Sequence, residues 1–360
     1  MIYSKPSNLK SIFALFAIVV NFSTSNFDKM QKKFISYLKA KSEKSTSFVD
    51  EIADILDIGY DAAYRRINLK TNLSLEETVK LAKHYKVSLN KLFEVGSNRT
   101  ILAEISPELH NEANLEQYFI ASRNNVYPLT KLKNASIVYS AKDIPLFHTL
   151  KDSYLSRYKI YVWLKDVDVN FTKDKTSFDD YINRIPQSLL DTAFDLGRIY
   201  KNINITEIWN ASTINGTLQQ VQYYFESGLL SQDLASKICD DIADVIKLVE
   251  DQAIQQSISG SDNKATYNLY MNEIHTMSNT IMVKIPNKKV FFTPFTVLSY
   301  FKIEHQPTCE IMNEFFEKQM RSSKLLINAG EKDRNLFFSK MLQKTNSLKQ
   351  LIEVNQPYNF

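Results

Sequence analysis

The sequence predicts a mainly α-helical protein, in which a five-helix N-terminal unit precedes a larger α+β module with a small antiparallel meander. Apolar residues recur at helical spacing through residues 48–95, between tight polar turns. Glycine is scarce, with seven in 360 residues, against a usual share of about 7%. Three later runs of alternating polarity, at residues 267–274, 280–285 and 289–293, predict the strands of the meander.

These patterns divide the chain into four segments. Residues 1–29 form an apolar N-terminal extension, residues 30–96 the five-helix unit, and residues 97–106 a polar linker. Residues 107–360 form a mainly helical region, with its meander at about residues 267–293. With 44% hydrophobic and 23% charged residues, the composition suits folded domains rather than disorder.

The N-terminal extension has the pattern of a short secretory signal. Lys5 and Lys10 precede an unbroken apolar run at residues 12–20, which is too short for a membrane span of about 20 residues. Met30 stands where the first helix of the five-helix unit should begin. We therefore expect the protein to start at Met30 and residues 1–29 to be a spurious extension. A genuine signal or membrane anchor is the alternative.

Helical spacing of apolar residues predicts a helix over residues 48–56. Ser47 precedes it as a candidate N-cap, whose hydroxyl would accept a hydrogen bond from an amide of the first turn. A tight turn follows at Asp57 and Gly59, because aspartate tolerates the left-handed conformation and glycine adopts it freely. A third helix then runs from about Tyr60 to Ile67.

The third helix has two different faces. Ala63 and Ile67, flanked by Tyr60 and Tyr64, are predicted to face the core. The residues predicted to point outward, at i, i+4 spacing, are Asp61, Ala62, Arg65 and Arg66. A basic, outward-facing helix after a tight turn is a common way to present a helix to the DNA major groove.

Two further short helices complete the unit. Ser74 and Glu77 have the spacing of a capping box at the start of the fourth helix. The apolar positions of the fourth and fifth helices are Leu75, Val79, Leu81, Ala82, Tyr85, Leu89, Leu92 and Phe93. Those of the fourth helix are expected to cover the two helices before it.

Residues 31–95 resemble the lambda-repressor-like helix-turn-helix domains of the XRE/Cro family. The stretches that carry the resemblance, in the family's order, are residues 52–58 (IADILDI), 75–82 (LEETVKLA) and 87–92 (VSLNKL). The resemblance implies a five-helix DNA-binding domain whose third helix enters the major groove. The chain departs from the family at Asp57, which replaces the usual turn glycine, and at Leu69, which stands near a glycine that often ends the recognition helix.

Two registers of the third helix fit the family pattern. Either Ala63 with Arg66, or Tyr64 with Ile67, occupies the two buried positions. We favour Tyr64 with Ile67, because that register buries an isoleucine rather than an arginine. Arg65 points outward in both registers, so the main candidate for DNA contact does not depend on the choice.

The outward face of the third helix carries the groups that would read DNA bases. An arginine can donate two hydrogen bonds to guanine O6 and N7, which contributes about 1–3 kcal/mol of discrimination. Arg65 is the first candidate for a base contact, followed by Arg66 and Asp61, and Ala62 lies on the same face. The alternative is that Asp61 and Arg65 pair with each other on a solvated helix face.

Contacts to phosphate are expected to be few. Lys70 and the amides behind Ser47 are the candidate phosphate contacts. Residues 30–96 carry twelve Lys and Arg against nine Asp and Glu, a net charge of +3. Because this excess is modest, affinity should depend on a dimer or on specific contacts rather than on a broad basic field.

The sequence offers no constellation for catalysis or metal binding. Cys239 and Cys309 are isolated from each other, and the five histidines include no HxxxH pair. Glycine-rich phosphate loops, nucleophile elbows and HExxH motifs are missing as well. We therefore predict no enzymatic activity, no cofactor and no metal. The two unpaired cysteines suit a reducing cytoplasm.

The C-terminal region is predicted to be mostly helical. Its expected elements are helices at about 106–123, over most of 145–257, at 307–321 and at 331–354, and a strand at 135–140. The order of helices, meander and helices favours an α+β module over a Rossmann or barrel arrangement. The stretches by which it resembles a family of bacterial regulators with a Cro-like headpiece and a long helical C-terminal region are 141–148 (AKDIPLFH), 206–210 (TEIWN), 213–215 (TIN) and 331–335 (EKDRN).

Together, the motif and the resemblances predict a cytoplasmic, sequence-specific DNA-binding regulator of transcription. Its partners would be double-stranded DNA, a second copy of the chain, and an unknown small-molecule or protein effector of the C-terminal region. A membrane partner is not expected. Two alternatives use the helix-turn-helix as an interaction module, either in a protein–protein adaptor or in a membrane-tethered regulator. Salt-dependent binding separates DNA from protein partners, because counterion release makes DNA binding weaken steeply with salt.

Overall fold

The computed structural model describes residues 29–42, 47–93, 101–274, 277–327 and 330–354. The chain divides into two compact units, residues 1–102 and residues 103–360. The signal-like run at residues 12–20 and the first four residues of the predicted linker lie outside the described residues. Helix predominates over strand, and the strands form a mixed sheet, which confirms a mainly α protein with a β component.

Five helices form the described part of the first unit. They are α1 (residues 29–41), α2 (Phe48–Leu56), α3 (Tyr60–Ile67), α4 (Leu75–His84) and α5 (Leu89–Phe93). Their apolar faces meet in one core, whose buried members are Phe34, Leu38, Ile52, Ala53, Leu56, Ala63, Leu81, Ala82 and Tyr85. Because Ala53 and Ala63 are small, α2 and α3 can approach each other closely, and these two helices are in contact.

Three successive helices of the first unit end in the same way, with a non-glycine residue in the left-handed conformation. Asp57, Leu69 and Lys86 follow α2, α3 and α4 with φ angles of 58°, 60° and 50°. In each case the next amide donates back into the last turn, from Ile58 to Ala53 O (3.0 Å), from Lys70 to Arg65 O (2.8 Å) and from Val87 to Ala82 O (2.8 Å). These are Schellman endings. The prediction for Asp57 is confirmed, whereas Gly59 has φ −66° and uses none of its extra freedom.

The two predicted N-caps of this unit have different outcomes. At the start of α4, the Glu77 amide donates to Ser74 Oγ at 3.1 Å and the Ser74 amide donates to Glu77 Oε2 at 2.9 Å. The capping box is therefore confirmed. Ser47 occupies the N-cap position of α2, but within the described residues its hydroxyl accepts no capping hydrogen bond. The predicted hydroxyl cap at Ser47 is wrong.

The second unit combines nine α-helices and two short 3-10 helices (Tyr127–Lys131 and Leu146–His148) with eight strands in the described residues. The helices are α6 (Glu112–Val126), α7 (Tyr154–Val167), α8 (Val169–Lys173), α9 (Phe178–Tyr181), α10 (Gln187–Tyr200), α11 (Asn215–Glu226), α12 (Gln232–Gln255), α13 (Gln306–Arg321) and α14 (Glu331–Val354). The strands are β1 (Ala103–Ile105), β2 (Ser136–Ser140), β3 (Asn204–Trp209), β4 (Tyr267–Met271), β5 (Thr280–Ile285), β6 (Lys288–Thr296), β7 (Ser299–Ile303) and β8 (Lys324–Leu325). No helix in the described parts of either unit is both long and apolar enough to cross a membrane.

The eight strands form one mixed sheet in the order β1–β7–β6–β5–β2–β3–β4–β8. β2, β3 and β4 run parallel, and the remaining neighbours are antiparallel. Helices α7 to α10 connect β2 to β3, and α11 and α12 connect β3 to β4. Long helical connections of this kind are required because a parallel strand must start again from the opposite end of the sheet.

Three predictions about this sheet are wrong. The meander is β5–β6–β7, residues 280–303, while β4 pairs with β3 and β8 instead. β2 and β4 were expected as strands, but β3 and the parallel pairing of the three were not, because β3 is buried at its last three residues and lacks the alternation of a half-exposed strand. The end of the predicted linker is β1, in which Ala103 pairs with Ile303. A partner so distant in sequence leaves no local signal.

The main core of the second unit is built by β2, β3 and β4 together with several helices. Its largest fully buried side chains include Trp209, Tyr158, Tyr161 and Tyr267. One face of α12 is buried, with Ile238, Ile242, Val245 and Val249 among its buried residues, and α12 packs against α7 and α14. This core fixes the three parallel strands and their crossover helices.

One polar pair lies inside this core. His148 Nε2 is 2.8 Å from Glu207 Oε1, and the two side chains are 5% and 0% exposed. Tyr267 lies beside the pair, and burial together with the charge of Glu207 raises the pKa of Tyr267 well above its ordinary value.

Candidate nucleic-acid interface

The exposed face of α3 runs along one side of the helix. Its exposed members, spaced so that i and i+4 neighbours share the face, are Tyr60, Asp61, Tyr64, Arg65 and, at the C-cap, Asn68. On the opposite side Ala63 is fully buried. Ala62 is only half-buried and lies between these two sides. The structure thus brings predicted site residues Asp61 and Arg65 together with two tyrosines.

The register favoured from the sequence is wrong. Ala63 is fully buried, whereas Tyr64 is 44% exposed, so the inward positions belong to Ala63 with Arg66. Ile67 still packs against the core as a half-buried residue. This register places an arginine on the inner side of the helix. The cost of partly burying that charge is offset because Glu77 forms an ion pair with Arg66.

Arg66 is bound within the first unit rather than presented outward. Its Nη2 donates to Glu77 Oε1 at 2.7 Å and its Nε lies 3.0 Å from both Glu77 oxygens, while Nη1 donates to the Ala62 carbonyl at 3.1 Å. The guanidinium holds the pKa of the Glu77 carboxyl below its ordinary value. The prediction that Arg66 is an outward base contact is therefore corrected. Arg66 links α3 to the first turn of α4.

Arg65 is the basic residue of α3 that is free to contact a ligand. Its side chain is exposed, and its Nε donates to the Asp61 carbonyl oxygen at 3.3 Å. Among the described residues, Arg65 forms no ion pair with the Asp61 carboxylate, so the alternative of a paired, solvated face is not what the side chains adopt. In the part of the chain that the structure describes, the other guanidinium donors of Arg65 form no hydrogen bond within the protein, so they can form a two-pronged contact with a ligand.

Tyr60 and Tyr64 are functional candidates that the sequence prediction placed in the core. Their rings are stacked, with centroids 6.5 Å apart and planes 15° apart. Lys70 Nζ lies 6.0 Å from the centre of the Tyr64 ring. A helical wheel anchored on Ala63 places Tyr64 about 100° around the helix, outside the buried stripe. The small size of Ala63 was the signal that could have identified this orientation.

The two predicted phosphate contacts differ in their surroundings. Lys70 is exposed directly after α3, and its backbone is fixed by the Schellman hydrogen bond. Ser47 is exposed at the start of α2, but Asp50 and Glu51 occupy the first turn of that helix. Two carboxylates at a helix start oppose the approach of a phosphate. Lys70 is thus suited to a phosphate and the amides behind Ser47 are not.

Gln31 holds the chain that follows α3 and was not identified from the sequence. From α1 its Nε2 donates to Arg66 O at 2.9 Å and to Thr71 O at 3.0 Å, and its Oε1 accepts from the Leu73 amide at 2.9 Å. These hydrogen bonds join residues 35 to 42 positions apart in the sequence. Gln31 therefore fixes both the end of α3 and the loop to α4, and local sequence patterns carry no sign of it.

The first unit thus presents a short, well-anchored helix whose outer face carries an arginine, a carboxylate and two aromatic rings. Comparison of the chain with protein-family models, with curated proteins and with solved structures found no match in any of the three.

Proposed function

We propose that this chain is a sequence-specific DNA-binding regulator of transcription, in which α3 enters the major groove. The observation that carries the proposal is the contrast between the two sides of α3. Ala63 and Arg66 fix its inner side to the unit, while its outer side exposes Arg65 beside Tyr64. A reading helix needs this combination, because base contacts require side chains held at a defined position and orientation.

Each outward group has a role in this proposal. Arg65 donates two hydrogen bonds to a guanine, the commonest specific contact of arginine in the major groove. The rings of Tyr60 and Tyr64 contact thymine methyl groups, or their hydroxyls donate to phosphate. Asp61 accepts from a cytosine amino group. Lys70 contacts the phosphate backbone at the end of the helix.

The first unit is, in this proposal, a lambda-repressor-like helix-turn-helix domain. The resemblance of residues 31–95 to that family and the order of five short helices support it. α2 and α3 would be the helix-turn-helix pair, joined through the left-handed Asp57. The second unit would receive a small-molecule or protein signal, and two copies of the cytoplasmic protein would bind the two halves of a palindromic site.

Capture of genomic DNA fragments by the purified full chain tests the proposal. We expect one enriched motif with two-fold symmetry, and binding to it that weakens steeply with salt through counterion release. Arg65→Ala should reduce affinity for that motif by about 1–3 kcal/mol and relax the preference for one base. Arg321→Ala, which removes an exposed arginine of the second unit, is the matched control and should change nothing. Absence of an enriched motif, or equal effects of the two variants, would refute the proposal.

One observation favours a protein–protein adaptor as a second candidate. Tyr60 and Tyr64 form an exposed aromatic pair, and aromatic residues are enriched in protein interfaces. In an adaptor, binding of the partner would depend on Tyr64 and little on salt. The salt titration of DNA binding therefore separates the two candidates.

A further inference from the structure

The outer face of α4 exposes apolar side chains that the first unit does not cover. Leu75 is 80% exposed and Val79, one turn later, is 36% exposed. Lys83 continues the same column after another turn and is exposed as well. An almost fully exposed leucine followed by a valine on one helix face is typical of a surface that a partner covers.

A shallow, open groove lies beside this column. It has a volume of about 470 Å³, and its lining includes Val79, Ala82, Lys83, Lys86, Val87 and Leu89. Its apolar lining residues are Val79, Ala82, Val87 and Leu89, and its two lysines, Lys83 and Lys86, are exposed. Such a groove can receive one large aliphatic side chain while a lysine binds a carboxylate.

The charged residues on this face are complementary to the same face of a second, antiparallel copy. Glu76 stands near the start of α4, whereas Lys80 and Lys83 stand in its second half, and all three are exposed. If a second α4 lies antiparallel across a two-fold axis at Val79, Leu75 faces Lys83 of the partner subunit. At a rise of 1.5 Å per residue, Glu76 is then within about 1.5 Å of the axial level of the partner subunit's Lys83. Leu75 also reaches the mouth of the partner's groove, and each contact occurs twice, as a two-fold interface requires.

We propose that α4 forms an antiparallel, two-fold interface with α4 of a second copy of this chain. Leu75 enters the groove beside Val79 of the other copy, and Glu76 pairs with Lys83 of the partner subunit. This inference rests on the proposed function only for the biological role of the dimer, which is to bring two reading helices to one palindromic site. The interface itself forms without DNA.

Sedimentation equilibrium of the full chain without DNA tests this interface. We expect a concentration-dependent dimer, and Leu75→Lys should raise its dissociation constant by roughly tenfold or more, because it places like charges opposite each other. Ile311→Lys is the matched control on α13, where Ile311 is 68% exposed, and it should leave the dimer intact. Far-UV circular dichroism checks that each variant is folded.

A charge exchange gives a sharper signature. Glu76→Lys and Lys83→Glu should each weaken the dimer, and the two changes combined in one chain should restore it, because the pairs form again with reversed sign. A monomeric wild-type chain, a loss of dimer with Ile311→Lys but not with Leu75→Lys, or failure of the double variant to recover would each overturn the interface. If the variants change the dimer as expected but the protein binds no DNA, the interface stands and the proposed function alone is refuted.

Discussion

Arg66 on α3 forms an ion pair with Glu77 in the first turn of α4, in which both Nε and Nη2 donate to the carboxylate and Nη2 lies 2.7 Å from Oε1. The carboxylate also accepts from the Ser74 amide, so the same group caps α4 and holds the reading helix. Only 19% and 18% of the two side chains are exposed. Two neighbouring arginines of α3 consequently have different tasks, which substitutions can separate.

Arg65→Ala and Arg66→Ala are expected to differ in what they damage. Arg65→Ala should weaken DNA binding and leave the melting temperature unchanged, because its side chain is exposed. Arg66→Ala removes charge-assisted hydrogen bonds from a half-buried carboxylate, so it should destabilise the first unit by about 1–3 kcal/mol. Thermal melts and fluorescence anisotropy with labelled DNA measure the two effects. If Arg66→Ala left hydrogen exchange in α3 and α4 unchanged, the proposed structural role of Arg66 would be wrong.

The Arg66–Glu77 contact also predicts a dependence of stability on acid. Because Arg66 lowers the pKa of Glu77 in the folded state, the contact stabilises the first unit fully above the ordinary pKa of 4.5. Its contribution is lost as the pH falls through the lowered pKa of the folded state. Protection factors of the α3 and α4 amides in the full chain, which are exchange rates corrected for the intrinsic pH dependence of amide exchange, should fall as the pH is lowered from 6. Glu77→Gln cannot titrate, so its protection factors should depend less on pH over the same interval; equal protection curves would contradict the prediction.

The left-handed residues that end α3 and α4 predict two stabilising substitutions. A left-handed conformation costs an ordinary L-residue roughly 1–2 kcal/mol, and glycine adopts it freely. Lys86 is exposed and Leu69 half-buried, so Lys86→Gly should stabilise the unit by about 1 kcal/mol and Leu69→Gly by somewhat less. Lys80→Gly, in the middle of α4, is the control with the opposite sign and should cost about 1 kcal/mol. Destabilisation by Lys86→Gly would show that the φ angle of 50° carries no strain.

The buried His148–Glu207 pair makes a prediction for the second unit. His148→Phe leaves the buried Glu207 side chain without its hydrogen-bonding partner at Oε1, and a buried polar group without a partner costs about 1–3 kcal/mol, or more if it is charged. Replacing both residues, with His148→Phe and Glu207→Leu, should recover much of that loss. Trp163 and Trp209 both lie in the second unit, so tryptophan fluorescence during urea unfolding reports on this unit. Equal losses in the single and double variants would show that packing, rather than the unpartnered polar group, dominates.

Local chemistry was predictable from the sequence, and non-local geometry was not. Ser74 and Glu77 are three residues apart, so their capping box follows from the sequence alone. The orientation of α3 was mistaken because it depends on Arg66 meeting Glu77, eleven residues later. Gln31 acts over a still longer separation, of 35 to 42 residues. The parallel part of the sheet was missed for the same reason, because β3 pairs with β2 and β4, which lie more than 50 residues away from it in the sequence.

The pairing of β1 with β7 has a consequence for how the protein is made. Ala103 pairs with Ile303, so β1 leaves the ribosome long before its partner strand exists. At about 5–20 residues per second, the delay is on the order of 10–40 s. Within that time the first unit can fold, since all of its described helices precede residue 102. The strand where the two units join along the chain acquires its hydrogen bonds with β7 only after about 200 further residues have been made.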